Sequence, residues 1–281
     1  MNKVLTLVAQ QSTDASTLQD TFGNQLVIYE IKQRRERVFD LVCAPDSALS
    51  PSLRETLYGL RCDFALQDAQ RRPKKVFISD MDATMVVGET IDEMAEILGL
   101  GEAISAITAR AMRGELDFEA ALAERLGLMK GLPQDRIVEM ADHVEISPDA
   151  DKLLAEINQR GIDSFLVSGG FTEFTQQVSR KLGFNSHKAN RLGYDENGRL
   201  NGTWVGELVD GDVKLATLQH LAEKNRVSLE ETIAIGDGAN DRLMVEAAGL
   251  GVAYYGKPAL RQVANAEIHC GTLASLIAFL D

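Results

Sequence analysis

A chain of 281 residues, 45% of them hydrophobic, is long enough to bury a real core as one large domain or two smaller ones. Its 42 Asp and Glu against 29 Lys and Arg leave a net charge of −13, which argues against general affinity for nucleic acid or anionic membrane and makes a soluble, cytoplasmic protein the expectation. No stretch approaches the ~20 apolar residues of a membrane span, and the short apolar start Val4 to Val8 lacks the length and cleavage pattern of a signal peptide.

The first 70 residues read as strand (Val4 to Val8), helix (Asp14 to Phe22), strand (Leu26 to Ile31), strand (Arg37 to Cys43), helix (Ser50 to Leu60) and strand (Cys62 to Leu66). That βαββαβ order predicts a small α+β, ferredoxin-like layer over residues 1–70. Arg71 to Lys75, polar and broken by Pro73, suits a linker. Beyond it the grammar changes. Short β-branched runs, Val76 to Ile78, Ser164 to Val167, Thr232 to Ile235 and Gly251 to Tyr254, alternate with helical patterns, which indicates a doubly wound, Rossmann-like parallel sheet over residues 71–88 and 148–281. Residues 89–147 hold no good strand but several helical stretches (Ile91 to Leu98, Ile104 to Met112, Phe118 to Met129), so they read as a helical cap inserted over the carboxyl edge of that sheet. Charge is uneven too: residues 76–281 carry 33 acidic and 18 basic side chains, so an anionic substrate entering there needs a cation to meet it.

Three cysteines (Cys43, Cys62, Cys270) without C-x-x-C spacing read as plain reduced thiols, and the four histidines (His143, His187, His220, His269) have no partner at metal-ligand spacing. The chemistry is elsewhere. Open parallel sheets bind ligands outside the carboxyl ends of their strands, and there the sequence puts Asp80-Met81-Asp82-Ala83-Thr84, then Ser168-Gly169-Gly170, then Gly236-Asp237-Gly238-Ala239-Asn240-Asp241. Taken alone, Asp80 with Asp82, or Asn240 with Asp241, would pass for turn and cap residues. Their joint occurrence at strand ends speaks against that. Four carboxylates, Asp80, Asp82, Asp237 and Asp241, gathered in one pocket repel one another unless a proton or a hard cation intervenes, which for a phosphate substrate means Mg²⁺. Lys214, in the first turn of a helix with Asp212 as the expected N-cap, sits where the helix dipole disfavours a cation, so its ammonium makes better sense facing an anion.

Strand-DMDAT, SGG, Lys and GDGAND, in that order, resemble the four motifs of the haloacid dehalogenase-like hydrolase superfamily. The surroundings are similar to its phosphoserine phosphatase family: Glu89 to Glu93, Met112, Asp117 to Glu119 with Arg125, Ser168 to Thr172 and Lys257 to Arg261. The resemblance implies a Mg²⁺-dependent phosphomonoesterase of serine biosynthesis that converts O-phospho-L-serine to L-serine. Asp80 is then the nucleophile that becomes an aspartyl phosphate, and Asp82 the general acid and base. It implies metal ligands in Asp80, the Asp82 carbonyl and Asp237, with Asp241 orienting that site. Ser168, Gly169, Gly170, Lys214 and Asn240 would hold the phosphate, and Glu89, Met112, Phe118 and Arg125 the amino-acid part. Phe118, Leu122 and Arg125 share one helix face, and a guanidinium grips a carboxylate through two parallel hydrogen bonds. The alternatives are a phosphotransferase or a phosphatase of another small phosphorylated metabolite. Ala83 stands where many relatives carry Ser. The N-terminal order resembles the amino-acid-binding ACT domain in pattern, which makes an amino acid its expected ligand; a homodimer is compatible with the sequence but not specified by it.

Overall fold

The computed structural model describes residues 1–281, the side chains of Arg71 and Met112 excepted. The N-terminal part runs β1 (Lys3–Ala9), α1 (Ala15–Phe22), β2 (Ile28–Arg35), β3 (Val38–Cys43), α2 (Pro51–Gly59) and β4 (Cys62–Asp68). Both helices begin at a side-chain cap: Asp14 accepts the Thr17 N–H, and Ser50 accepts that of Leu53 with Pro51 opening the helix. Every second strand residue, Leu5, Leu7, Phe39, Leu41, Phe64 and Leu66, is buried against Leu18, Phe22, Leu53 and Leu57 of the two helices. The four strands are antiparallel in the order β2-β3-β1-β4.

The chain continues through β5 (Val76–Ser79), the helices α3 (Thr90–Ile97), α4 (Gly101–Met112), α5 (Phe118–Leu128) and α6 (Gln134–Asp142), then α7 (Ala150–Gln159) and β6 (Asp163–Phe171). It ends with α8 (Thr172–Leu182), β7 (Ser186–Tyr194), β8 (Leu200–Val205), α9 (Gly211–Asn225), β9 (Thr232–Gly236), α10 (Arg242–Ala247), β10 (Leu250–Tyr254), α11 (Pro258–Arg261), β11 (Ala266–Ile268) and α12 (Ala274–Phe279). Strands β11-β10-β9-β5-β6-β7 are parallel, and β8 closes the far edge antiparallel to β7. Because β11 also pairs with β4, the N-terminal strands extend the same sheet, which has eleven strands. The Arg71 to Lys75 stretch is pinned there: Lys74 Nζ donates to the Glu230 carbonyl (2.7 Å) and Arg72 to Asp40 (2.9 Å).

Both faces of the parallel strands are covered, as their unbroken apolar runs require. On β5, Val76 and Ile78 face Leu218, Leu221, Met244 and Leu260 of α9, α10 and α11, whereas Phe77 joins Leu153, Phe174, Val178 and Phe279 of α7, α8 and α12. The order reverses at β5: β6 and β7 build outward on one side, β9, β10 and β11 on the other. A crevice therefore opens at the carboxyl ends of β5 and β9.

Helices α3 to α6 lie over that crevice. The chain leaves the core at Val86 and returns at Ile146, where the two segments bridge through Val87 N–H to the Glu145 carbonyl (2.9 Å) and Ser147 N–H to that of Met85 (3.0 Å). Helix α6 was not among the expected elements, although Ile137, Met140 and Ala141 bury one face at helical spacing. The β7–β8 hairpin was missed for a better reason: its polar run Ser186 to Asn190 lies near the sheet edge and shows no apolar alternation. Among the described residues, no helix is long and apolar enough to cross a membrane.

Candidate active site

Asp80 follows β5 directly, its N–H donating to the Ile235 carbonyl of β9 (3.0 Å), so the ladder fixes its backbone. The residue is 3% exposed. Its Oδ1 accepts from Met81 N–H (2.8 Å) and from Lys214 Nζ (2.7 Å), and among the described residues no donor reaches Oδ2. Lys214 is fully buried and bridges to Asp241 Oδ1 as well (2.7 Å). The N-cap of α9 is Asp210, not Asp212: Asp210 is extended and accepts the Val213 N–H, while Asp212 lies inside the first turn. Lys214 remains in that turn, its positive charge offset by two carboxylates rather than by the helix. Asp241 in turn accepts the N–H groups of Asp237 (3.2 Å) and Gly238 (3.0 Å). The packing is close enough that a Cβ on Gly236 would lie 2.3 Å from the Asp241 carboxyl carbon.

Burial, and then the Asp241 charge, drive the Asp80 pKa well above the usual carboxylate range against the pull of Lys214. Burial alone would depress Lys214, but Asp80 and Asp241 outweigh it and the ammonium is held charged. One buried cation is thus shared by two carboxylates.

Asp82 is fixed at both oxygens: Thr90 N–H donates to Oδ1 (2.9 Å) and the Ser168 hydroxyl to Oδ2 (3.1 Å). Desolvation of the carboxyl raises its pKa, with the Thr90 and Ser168 hydrogen bonds opposing the rise. Ser168 Oγ also accepts the Gly170 N–H (2.8 Å). Any Cβ on Gly170 would come within 2.9 Å of Asp82 Oδ2, so glycine is needed for this approach.

Above this floor is a cleft of about 110 Å³. Asp80, Asp82, Glu89, Phe118, Arg125, Gly169, Gly170, Asp237 and Asn240 line it; Ser168, Lys214 and Asp241 are buried beneath. Met112, expected beside the substrate, has its side chain outside the described residues. Arg125 is held by a hydrogen bond to Thr108 Oγ1 (3.0 Å), and its Nε is shielded from solvent without a partner among the described residues. Glu89 stands opposite in charge at the solvent-open rim, where desolvation, then Asp82 and Asp237, push its pKa up to about 7. Lys257, to which the sequence reading gave no role, also lines the cleft: its ammonium pairs with Asp237 Oδ2 (3.1 Å) and its N–H donates to the Asp237 carbonyl (2.8 Å). Burial raises the Asp237 pKa and Lys257 opposes it.

Oxygen atoms of Asp80, Asp237 and Asp241 lie within 4.8 Å of one another, a hard-donor set that suits a divalent cation with oxygen ligands. A second group of ligand-type atoms, Asp63, His269 and Cys270, is equally close. It differs in one decisive respect. Asp63 Oδ1 already accepts the N–H groups of His269, Cys270 and Gly271 and the Cys270 thiol, and burial followed by the Asp63 charge pushes that thiol up to about 12. With the carboxylate saturated and the thiol protonated, His269 is the one member whose ligand atoms have no hydrogen-bond partner among the described residues, and one imidazole does not make a cation site.

Residues 74–249 match the model of the haloacid dehalogenase-like hydrolase family. The chain belongs to that family. Its curated relatives include the phosphoserine phosphatase of Streptococcus thermophilus, 40% identical over 74% of this chain and 96% of that protein. Another is the phosphoserine phosphatase of Archaeoglobus fulgidus, 38% identical over 81% of this chain and 67% of that one. Among solved structures, a haloacid dehalogenase family hydrolase from Salmonella enterica serovar Typhi superposes with a TM-score of 0.87 at 28% identity, over 100% of this chain and 98% of that one. The hydrolase is therefore a phosphatase by family, with the N-terminal strands included in the structural likeness.

Proposed function

We propose that this hydrolase converts O-phospho-L-serine and water to L-serine and phosphate, the closing step of serine biosynthesis, in the cytoplasm. The observation that carries the reading is Asp80: a buried carboxylate with one oxygen held by Lys214 and the other without a donor, beneath walls that supply one anion, Glu89, and one cation, Arg125. A zwitterionic amino acid needs both. The phosphoserine phosphatases among its relatives support the same substrate.

In the reaction, Asp80 acts in its ionised form, which Lys214 favours against burial and the Asp241 charge, and its Oδ2 attacks phosphorus while the bond to the serine oxygen breaks. Asp82 gives its proton to the departing oxygen, and its raised pKa suits that role. Water then attacks phosphorus of the aspartyl phosphate and loses a proton to Asp82, which restores both carboxyl groups. Lys214 and the Gly169–Gly170 backbone hold the phosphoryl oxygens in place. Asp80, Asp237 and the Asp82 carbonyl would hold Mg²⁺, with Asp241 orienting them; the ion, when bound, offsets the gathered negative charge and polarises the phosphoryl group. The N-terminal unit (residues 1–70) is proposed as an amino-acid-binding module on its βαββαβ order, attached to a core of residues 71–88 and 148–281 capped by residues 89–147.

Turnover of a phosphomonoester panel with and without Mg²⁺ tests the chemistry, and Arg125→Ala tests the substrate. That change should raise KM for phosphoserine by about 10- to 100-fold, the loss of a charged hydrogen bond, and leave p-nitrophenyl phosphate untouched. Unaltered phosphoserine kinetics would remove the substrate assignment.

A further inference from the structure

Strand β6 pairs with β7 at Val167 with Lys188 and again at Phe171 with Asn190, so four steps along β6 answer two along β7 and Ser168, Gly169 and Gly170 bulge out of the ladder. A bulge deprives main-chain groups of ladder partners, and a buried carbonyl left that way is costly. The side chain of Asn190 supplies the missing partner. Its Nδ2 donates to the Gly169 carbonyl (2.7 Å), and its Oδ1 accepts the Val209 N–H (2.8 Å). Asn190 is 1% exposed, so neither bond competes with water.

What the two bonds connect is the point. The peptide whose carbonyl Asn190 holds carries the Gly170 N–H at its other end, which donates to Ser168 Oγ (2.8 Å), which donates to Asp82 Oδ2 (3.1 Å). On the other side, Val209 precedes Asp210, the cap of α9, and α9 carries Lys214 to Asp80 (2.7 Å). We propose that Asn190 is a positioning residue that locks the bulged Gly169–Gly170 peptide and the start of α9 into one frame, aligning the Asp82 arm of the site with the Lys214 arm around the phosphoryl group. Nothing in its sequence surroundings marks it: it lies on an edge-proximal strand far from the acidic motifs. The inference rests on the phosphomonoester reading of the cleft, but not on what the phosphate is attached to.

The test is Asn190→Asp, which keeps the acceptor toward Val209 and removes the donor toward Gly169. With Mg²⁺ present, kcat/KM should fall by about 10- to 100-fold, the scale of a sub-ångström to ångström misplacement. The fall should be by the same factor on phosphoserine and p-nitrophenyl phosphate, unlike Arg125→Ala, and inorganic phosphate should bind more weakly by a similar factor in calorimetry. Activity should recover toward acidic pH as the introduced carboxyl gains a proton to donate. A folded variant with wild-type kcat/KM and phosphate affinity overturns the proposal. If the variant does not fold, hydrogen exchange on the wild type decides. Val209 and Gly170 amides should exchange slowly and be slowed together by inorganic phosphate, and rapid, phosphate-insensitive exchange at Val209 overturns it. A wild-type protein that hydrolyses neither ester would instead sink the functional reading, and this inference with it.

Discussion

Two carboxylates, Asp80 and Asp63, are buried at the carboxyl edge of the parallel strands, Asp80 just after β5 and Asp63 beside the loop after β11, and they differ in how many of their lone pairs are taken. Asp63, on β4, is fully buried with donors on both oxygens: three N–H groups and a thiol on Oδ1, and the Ser275 hydroxyl on Oδ2 (2.7 Å). It fastens the N-terminal strands to the loop after β11. Asp80 is buried almost as deeply, yet among the described residues one of its oxygens has no donor, and the residue lines the cleft. A polar group that folding has satisfied is structural, whereas one left incomplete beside a cavity awaits a ligand. The same reasoning sets Asp237, with Lys257 on one oxygen only, apart from the saturated Asp241.

The comparison breaks most readily at Asp80. Asp80→Asn should cost at least about 10⁴-fold in kcat while urea stability stays near wild type, because Lys214 keeps Asp241. Measurable wild-type-like turnover would end the argument. Asp82→Asn should lower kcat by about 10²- to 10⁴-fold, the usual range for a general acid and base, as read in single-turnover assays. Lys214→Met strips the shared cation from two buried carboxylates; a loss of about 3–5 kcal/mol in urea unfolding is expected, partly recovered by added Mg²⁺ but not with a chelator present. Asp63→Asn, by contrast, should cost about 1–3 kcal/mol and leave kcat/KM unchanged. A kinetic defect there without a stability defect would erase the distinction between the two carboxylates.

The finest expected effect is a pH shift. Ser168 donates to the charged form of Asp82 and lowers its pKa against burial. In Ser168→Ala that pull is gone, so the Asp82 pKa rises and the proton needed for leaving-group departure is kept to higher pH. The alkaline limb of the kcat profile should move upward; a downward shift would mean that another group governs it.

Much of this was legible in the chain itself. The β-branched runs at Val76, Ser164, Thr232 and Gly251 announced parallel strands because strands covered on both faces must be apolar throughout, and reactive residues just beyond them marked the carboxyl edge. Spacing also put Phe118, Leu122 and Arg125 on one face, and all three meet the cleft. Less was legible where the signal is spatial. Lys257 and Thr108 touch Asp237 and Arg125 from remote segments, the helix start shifted from Asp212 to Asp210, and the β4–β11 pairing that makes one sheet has no local signature.

By itself, the sequence determined which side chains could do chemistry and that they would gather at one edge of a parallel sheet, since periodicity and strand-end position are properties of the chain. Tertiary structure alone decided which oxygens are left without a donor. Asp63 and Asp80 are the same residue type, and only the arrival of donors from the loop after β11 and from α12 on both oxygens of one, against Lys214 of α9 and the Met81 N–H on a single oxygen of the other, makes the first a fastener and the second the proposed nucleophile.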